Sequence, residues 1–236
     1  GKYPSILKVP GAGVHAMSGN VAWAAKGAIV LEIGIHGIPV ILESGLYSDL
    51  SNGVLSNYVL HGIENRDTYF FRRVYMGCVK AVDFLLSLPK SNGKVGVIGG
   101  SQGGMLSLAT SYLDKRITAT GVYFPAFCDQ EAYMHGRTGG WPHFFKKKDN
   151  CKKEYLETVR YYDGANFARK LTAPVYYAFG YNDITCGPTT SSATYNVISA
   201  PKQVVIGENQ GHWLFPEHFS SMWEWMIKEL NKEEDI

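Results

Sequence analysis

The sequence predicts an α/β fold, a mainly parallel sheet with helices on both faces in a three-layer sandwich. Six strand-like apolar runs alternate with helix-like segments, and strands joined through helices pair in parallel. A hydrophobic content of 45% is enough to fill a sizeable core, and 236 residues suit one domain over 1–236. A serine between two pairs of glycines also stands where a strand-like run changes to a helix-like one.

The predicted strands are short apolar runs bounded by turn or charged residues. In chain order they are "PSILKV" (4–9), "GAIVLEIGI" (27–35), "KVGVIG" (94–99), "TATGVYFPA" (118–126), "APVYYAFG" (173–180) and "KQVVIG" (202–207). The predicted helices follow at 18–26, 68–88, 102–113, 188–198 and 213–231. The helix over 68–88 carries Val74, Cys78, Ala81, Val82 and Leu85 on one face, which indicates that this face packs on the sheet.

Two long segments interrupt this alternation, at 36–67 and 127–170. Both follow strands, so we expect both to lie over the carboxyl edge of the sheet, where open parallel sheets bind their substrates. We interpret 127–170 as a lid-like insertion. Its aromatic residues, Trp141 among them, either stack on sugar rings or fill a small core of the insertion itself.

Composition excludes several classes of protein. A net charge of +2 is too small to favour nucleic acid as a partner, and no apolar run approaches the ~20 residues of a membrane span. The four cysteines show neither CxxC spacing nor nearby histidine pairs, so we predict no metal site and no disulfide framework.

The stretch "GGSQGG" places Ser101 in a Gly-x-Ser-x-Gly pattern between a strand and a helix. This pattern is typical of a nucleophile elbow, in which a tight turn holds the serine hydroxyl clear of the sheet. Such a turn brings backbones close together, which explains the glycines. The pattern alone is also compatible with an ordinary glycine turn that carries a surface serine.

A serine nucleophile needs a histidine base and a carboxylate that orients it, in the chain order Ser, Asp or Glu, His. Asp183 follows the 173–180 strand, and His212 follows the 202–207 strand. We therefore predict a triad of Ser101, Asp183 and His212. Asp129, which follows the 118–126 strand, is the alternative acid.

Acyl transfer also requires N–H donors for the tetrahedral oxyanion. The residue after the nucleophile supplies one, here Gln102, and the small-residue loop after the first strand supplies the other. We assign Ala12 as that second donor, with Gly13 as the alternative. The substrate-pocket candidates are Gly13, His15, Trp141 and Trp213, and an indole beside the base predicts a preference for short acyl groups.

The motifs "GGSQGG", "FPAFCD", "GYNDITCGPTT" and "GH", with the segment 66–85, resemble the acetyl xylan esterase and cephalosporin C deacetylase group of α/β-hydrolases. The resemblance implies Ser101 as nucleophile, Asp183 and His212 as its partners, and no cofactor. It implies that the Ala12 and Gln102 amides form the oxyanion hole. The chain has "GIHGIP" where the family usually has Arg-Gly-Gln.

The resemblance also implies strands before the first one seen here, so we expect the natural protein to continue upstream. Acetylated sugars such as xylan or xylo-oligosaccharides are the implied substrates, which favours a secreted or periplasmic location. Members of the group often form homo-oligomers, and the sequence leaves the subunit number open.

Three function classes follow from these residues. The first is a serine esterase that removes acetyl groups from carbohydrate through an acyl-enzyme. The second is a serine peptidase of the prolyl-oligopeptidase kind, which shares the elbow and the triad order. The third is a non-catalytic hydrolase-fold protein that binds a ligand or partner.

Overall fold

The computed structural model describes residues 1–19 and 21–233. The strands are β1 (Tyr3–Lys8), β2 (Ile29–Glu32), β3 (Ser91–Gly100), β4 (Ile117–Tyr123), β5 (Val175–Gly180) and β6 (Lys202–Gly207). The α-helices are α1 (Val21–Ala24), α2 (Ser44–Asn52), α3 (Phe70–Ser87), α4 (Gln102–Leu113), α5 (Lys153–Tyr162), α6 (Gly164–Ala168), α7 (Pro188–Asn196) and α8 (Pro216–Leu230).

The six strands form one sheet in the order β2-β1-β3-β4-β5-β6, and every neighbouring pair is parallel. The sheet reverses its direction of growth at β1, because β2 is added on one side of β1 and β3 on the other. All carboxyl ends therefore meet at one edge. This confirms the predicted parallel sheet.

Helices cover both faces of this sheet. On one face, α3 and α4 pack against β3, and α6 packs against α4. On the other face, α8 packs across β3, β4 and β5. Met226 of α8 lies so close to Gly96 of β3 that a Cβ atom at Gly96 would clash with it. The core between these layers is almost wholly apolar, with Ile6, Leu106 and Met222 among its fully buried side chains. The predicted three-layer sandwich is confirmed.

The structure departs from the predicted elements chiefly at the N-terminal side. The helix expected over 18–26 is a single turn in α1, and the strand expected over 27–35 ends at Glu32. Both long segments also contain helices that the sequence pattern did not predict: α2 in the first, and α5 and α6 in the second. Within the described residues, no helix combines the length and the apolar character that a membrane span requires.

The segment 127–170 is closed at its base by the carboxylate of Asp163. This side chain accepts hydrogen bonds from the backbone N–H groups of Asp129 at 3.0 Å and Gln130 at 2.9 Å, and it caps α6 by accepting from Ala165 at 2.9 Å. Burial raises the pKa of Asp163 to about 6, while the three donors act in the opposite direction. The segment therefore leaves and rejoins the sandwich at one point.

We expect Asp163→Ala to lower the free energy of unfolding by about 2–4 kcal/mol, because three backbone N–H groups, that of Gln130 in a buried hydrogen bond, lose their acceptor. Asp149→Ala is the matched control, since Asp149 is exposed in the same segment and forms no ion pair within the described residues. It should cost less than about 0.5 kcal/mol. Urea denaturation of both variants measures the difference, and equal losses would contradict the anchoring role.

Candidate active site

Ser101 stands at the turn from β3 into α4, with φ of 56° and ψ of −124°. A serine rarely adopts this conformation, so the surrounding structure must enforce it. The glycines on each side permit the turn: a Cβ at Gly103 would lie 2.6 Å from the Val9 carbonyl oxygen, and one at Gly99 would lie 2.6 Å from the Gly103 carbonyl. The glycine pattern thus has the steric cause that the sequence suggested.

The backbone of Ser101 is fixed to the end of the neighbouring strand. Its N–H donates to the Tyr123 carbonyl at 3.1 Å, and its carbonyl accepts from the Ala126 N–H at 2.9 Å. Burial raises the pKa of the Cys186 thiol, and an interaction with Ser101 acts in the opposite direction. The two backbone hydrogen bonds thus hold the serine in place.

Asp183 and His212 form a direct pair. Asp183 Oδ2 lies 2.8 Å from His212 Nδ1, and Oδ1 accepts backbone N–H groups from Thr185 and Cys186, each at 2.8 Å. The Asp183 side chain is fully buried, whereas 28% of the His212 side chain is exposed. A carboxylate partner places the proton on Nδ1 and leaves Nε2, which has no hydrogen-bond partner within the described residues, able to accept a proton.

Backbone hydrogen bonds hold the loops after β5 and β6 together. The N–H of Tyr181 donates to the Gly207 carbonyl at 3.0 Å, and that of Asn182 donates to the Gln210 carbonyl at 2.9 Å. The His212 ring packs on Phe124, with ring centroids 4.5 Å apart, and Phe124 is two residues before the amide that binds the Ser101 carbonyl. The structure therefore brings the loops of Ser101, Asp183 and His212 together at one edge of the sheet.

Asp129, the alternative acid, is engaged elsewhere. It forms an ion pair with Arg137, with Oδ2 2.6 Å from Nη1, and its backbone N–H donates to Asp163. It makes no hydrogen bond to His212. The geometry favours Asp183 as the partner of the histidine.

A cleft of about 350 Å³ opens beside Ser101 at the carboxyl ends of the first four strands. Its walls come from the loop after β1 and from the ends of β2, β3 and β4; they include Lys8, Pro10, Gly11, His15, Ser18, Glu32, Ser101, Tyr123 and Phe124. His15 thus lies at the cleft, as expected for a pocket residue. Lys8 and Glu32 form an ion pair in its wall, and the Ser18 hydroxyl donates to Glu32 at 2.9 Å.

The other three pocket candidates are not among the residues that line this cleft. The Trp213 side chain is 47% exposed and packs edge-to-face on Phe215. Trp141 packs edge-to-face on Phe127, at the base of the 127–170 segment. Gly13 is exposed, has φ of 116°, and donates its N–H to the Tyr58 hydroxyl at 3.0 Å.

The two amides expected to bind an oxyanion are both available. Gln102 is the first residue of α4, so its N–H has no partner within the helix. The Ala12 N–H makes no hydrogen bond within the described residues, whereas that of Gly13 is already used. This difference favours Ala12 over Gly13 as the second donor.

Sequence reasoning missed two residues that contact the predicted oxyanion loop. Tyr58, in a 3₁₀ turn over Tyr58–Leu60, contacts Gly13 and Gln102, and His36 Nε2 lies 2.9 Å from the Gly13 carbonyl oxygen. Burial raises the pKa of Tyr58 and lowers the pKa of His36, so both are uncharged at neutral pH. One feature of the sequence pointed to His36: the chain has "GIHGIP" where the family usually has Arg-Gly-Gln.

The comparisons with known proteins identify the family of this chain. A model of the acetyl xylan esterase (AXE1) family matches residues 1–232. Acetyl esterase Axe7A of Xylanibacter ruminicola is 40% identical over 236 residues, which cover 98% of this chain and 54% of that protein. The chain thus spans about half the length of this curated relative.

Two solved structures resemble this one closely. The acetyl xylan esterase of Paenibacillus sp. R4 superimposes with a TM-score of 0.81 at 28% identity, over 97% of this chain and 75% of that one. The acetyl xylan esterase 1 of Thermoanaerobacterium sp. JW/SL YS485 gives 0.80 at 21% identity over the same shares, which shows the shared fold. The α/β-hydrolase fold is therefore confirmed, and the chain belongs to the acetyl xylan esterase (AXE1) family.

Proposed function

We propose that this protein is a serine esterase that removes acetyl groups from carbohydrate through an acyl-enzyme. The observation that carries the proposal is the 2.8 Å pairing of Asp183 with His212, beside a serine in an elbow turn. Family membership favours acetylated xylan or its oligosaccharides as the substrate class. Because the chain spans only part of its curated relative, the activity and substrate of the whole protein belong to this proposal.

In the first half of the reaction, the Ser101 hydroxyl turns towards His212 Nε2. His212 takes the hydroxyl proton while the oxygen attacks the acyl carbonyl carbon. The N–H groups of Ala12 and Gln102 donate to the oxyanion of the tetrahedral intermediate. His212 then gives its proton to the departing sugar oxygen, and the acyl group stays on Ser101.

In the second half, a water molecule enters beside His212 and loses a proton to Nε2 as it attacks the acyl-enzyme. The same two amides stabilise the second tetrahedral intermediate, and His212 returns its proton to the Ser101 oxygen as the intermediate collapses to acetate and free Ser101. Asp183 holds the imidazole in one tautomer and stabilises the imidazolium that forms twice in each cycle. The proposal requires no metal and no cofactor for any of these steps.

The other two classes receive less support. A peptidase of the prolyl-oligopeptidase kind would use the same three residues, but the matching family model is that of an esterase. A non-catalytic binding protein has no need of a buried carboxylate paired with a partly exposed histidine. Both observations favour the esterase.

Ser101→Ala should lower kcat for p-nitrophenyl acetate by at least ~10⁴-fold, because the nucleophile is removed. Ser107→Ala is the matched control: Ser107 is buried in α4, and its hydroxyl has no hydrogen-bond partner within the described residues. It should keep the wild-type rate. Circular dichroism confirms folding of both variants, and turnover by folded Ser101→Ala would refute the assignment.

Replacement of the acid should separate the two candidate carboxylates. Asp183→Asn lets the histidine adopt the wrong tautomer, so kcat should fall by roughly 10⁴-fold. Asp129→Asn removes only a pairing with Arg137 and should leave kcat within about threefold of wild type, as expected for a surface ion pair. A larger loss from Asp129→Asn than from Asp183→Asn would reverse the assignment.

Acyl chain length should affect the rate strongly. A cleft of about 350 Å³ is near the lower limit for a ligand pocket, so acetyl esters should exceed octanoyl esters in kcat/KM by roughly tenfold or more. We expect this preference to survive Trp213→Ala, because the indole lies outside the cleft. Loss of the preference in that variant would restore Trp213 as its determinant, and equal turnover of both esters by the wild type would reject a short-acyl site.

A further inference from the structure

We propose that Tyr58 is a positioning residue for the oxyanion hole, acting through the side chain of Gln102 on the loop that carries Ala12. The proposal rests on the function given above. Tyr58 is 6% exposed, and its hydroxyl lies between the Gly13 amide at 3.0 Å and Gln102 Oε1 at 2.8 Å. One phenol thus connects the predicted oxyanion loop to the residue that follows the nucleophile.

Chemistry fixes the direction of each hydrogen bond in this cluster. The Gly13 N–H can only donate, so the Tyr58 oxygen accepts there, and its single proton goes to Gln102 Oε1. The amide nitrogen of Gln102 then faces the carbonyl oxygens of Gly11 at 3.0 Å and Pro10 at 3.5 Å. The phenol therefore sets which end of the Gln102 amide meets the loop.

This arrangement aims the Ala12 N–H. A trans peptide unit is planar, and its C=O and N–H groups point in opposite directions. Gly11 C=O and Ala12 N–H belong to the same peptide unit, so a hydrogen bond that holds the carbonyl also fixes the direction of the amide. Gln102 would thus supply one oxyanion donor from its backbone and orient the other with its side chain.

The next peptide unit is held from the opposite side. Its N–H, on Gly13, donates to Tyr58, and in the peptide unit after that the Gly13 carbonyl accepts from His36 Nε2 at 2.9 Å. The His36 ring packs edge-to-face on Tyr58, with centroids 4.5 Å apart, and Phe70 lies 5.1 Å from Tyr58. Aromatic packing therefore leaves the phenol little freedom to move.

We call His36, Tyr58 and Gln102 the clamp residues. They are needed because the loop that carries Ala12 has no regular structure of its own. Residues 9–19 form neither helix nor strand, and Gly13 has φ of 116°. Glycine-containing loops sample many conformations, and an oxyanion donor is effective only when it is fixed in advance. Three side chains from other segments provide that preorganisation here: His36, Tyr58 and Gln102.

Tyr58→Phe tests the proposal, because it keeps the ring and removes only the hydroxyl. We expect kcat for p-nitrophenyl acetate to fall by ~10–100-fold, less than the loss of a whole donor, while KM changes by less than about threefold. The affinity for a boronic acid, which forms a tetrahedral adduct on the serine, should fall by a similar factor. A fluorophosphonate label counts the active sites. If the substitution only reduced the fraction of folded protein, the number of labelled sites would fall and kcat per labelled site would stay at the wild-type value.

Tyr47→Phe is the matched control. Tyr47 is also buried, and its hydroxyl also accepts a backbone N–H, that of Leu42 at 2.9 Å, but it makes no contact with the clamp residues. It should keep wild-type kcat. An active wild type with an equally active Tyr58→Phe would overturn this proposal alone, whereas a wild type without ester turnover would overturn the proposed function and this proposal with it.

Gln102→Glu provides a second test that does not depend on the folding of Tyr58→Phe. A carboxylate still accepts from Tyr58 but cannot donate to the Gly11 carbonyl, and the backbone N–H of residue 102 is unchanged. We expect a loss of kcat similar to that of Tyr58→Phe and little further loss in the double variant, because both changes break one connection. Full kcat in Gln102→Glu would also overturn the proposal.

Discussion

The close approach of three backbone segments around Ser101 is the constraint on which the rest of the site depends. The turn from β3 into α4 forms only because glycines let the helix start touch the strand end and the loop after β1. The unfavourable φ of Ser101 costs free energy of order 1–3 kcal/mol, which packing of the buried α4 must offset. The turn thereby fixes the position of the Ser101 side chain relative to the N–H of Gln102, the first residue of α4.

Parallel strands explain how distant parts of the chain reach this turn. Asp183 and His212 follow adjacent strands, and backbone hydrogen bonds join their loops before any side chain is considered. Three hydrogen bonds hold the buried carboxylate: two backbone amides donate to one oxygen, and the imidazole donates to the other. The positions of Asp183 and His212 therefore follow mainly from the backbone of the sheet and of the two loops.

Much of this was predictable from the sequence, because it depends on local pattern. The strands and α4 follow from short apolar runs, and the order of Ser101, Asp183 and His212 follows from which strand each residue succeeds. Tyr58 was not predictable. It is 44 positions from Gln102, in a segment without periodicity, and only the folded chain brings the two together. The short helices of the 127–170 segment were not predictable for a related reason, since α6 packs on α4, and Tyr162 and Phe167 pack on Tyr75 of α3.

The single carboxylate at the base of the 127–170 segment has a consequence for how this enzyme family can diversify. The segment begins at Asp129 and Gln130, whose N–H groups bond to the carboxylate of Asp163 near its end. The number of residues between Gln130 and Asp163 can therefore change without displacing β4 or β5. Exchange of this segment can therefore change the surface that it presents, while Ser101, Asp183 and His212 keep their positions at the ends of β3, β5 and β6.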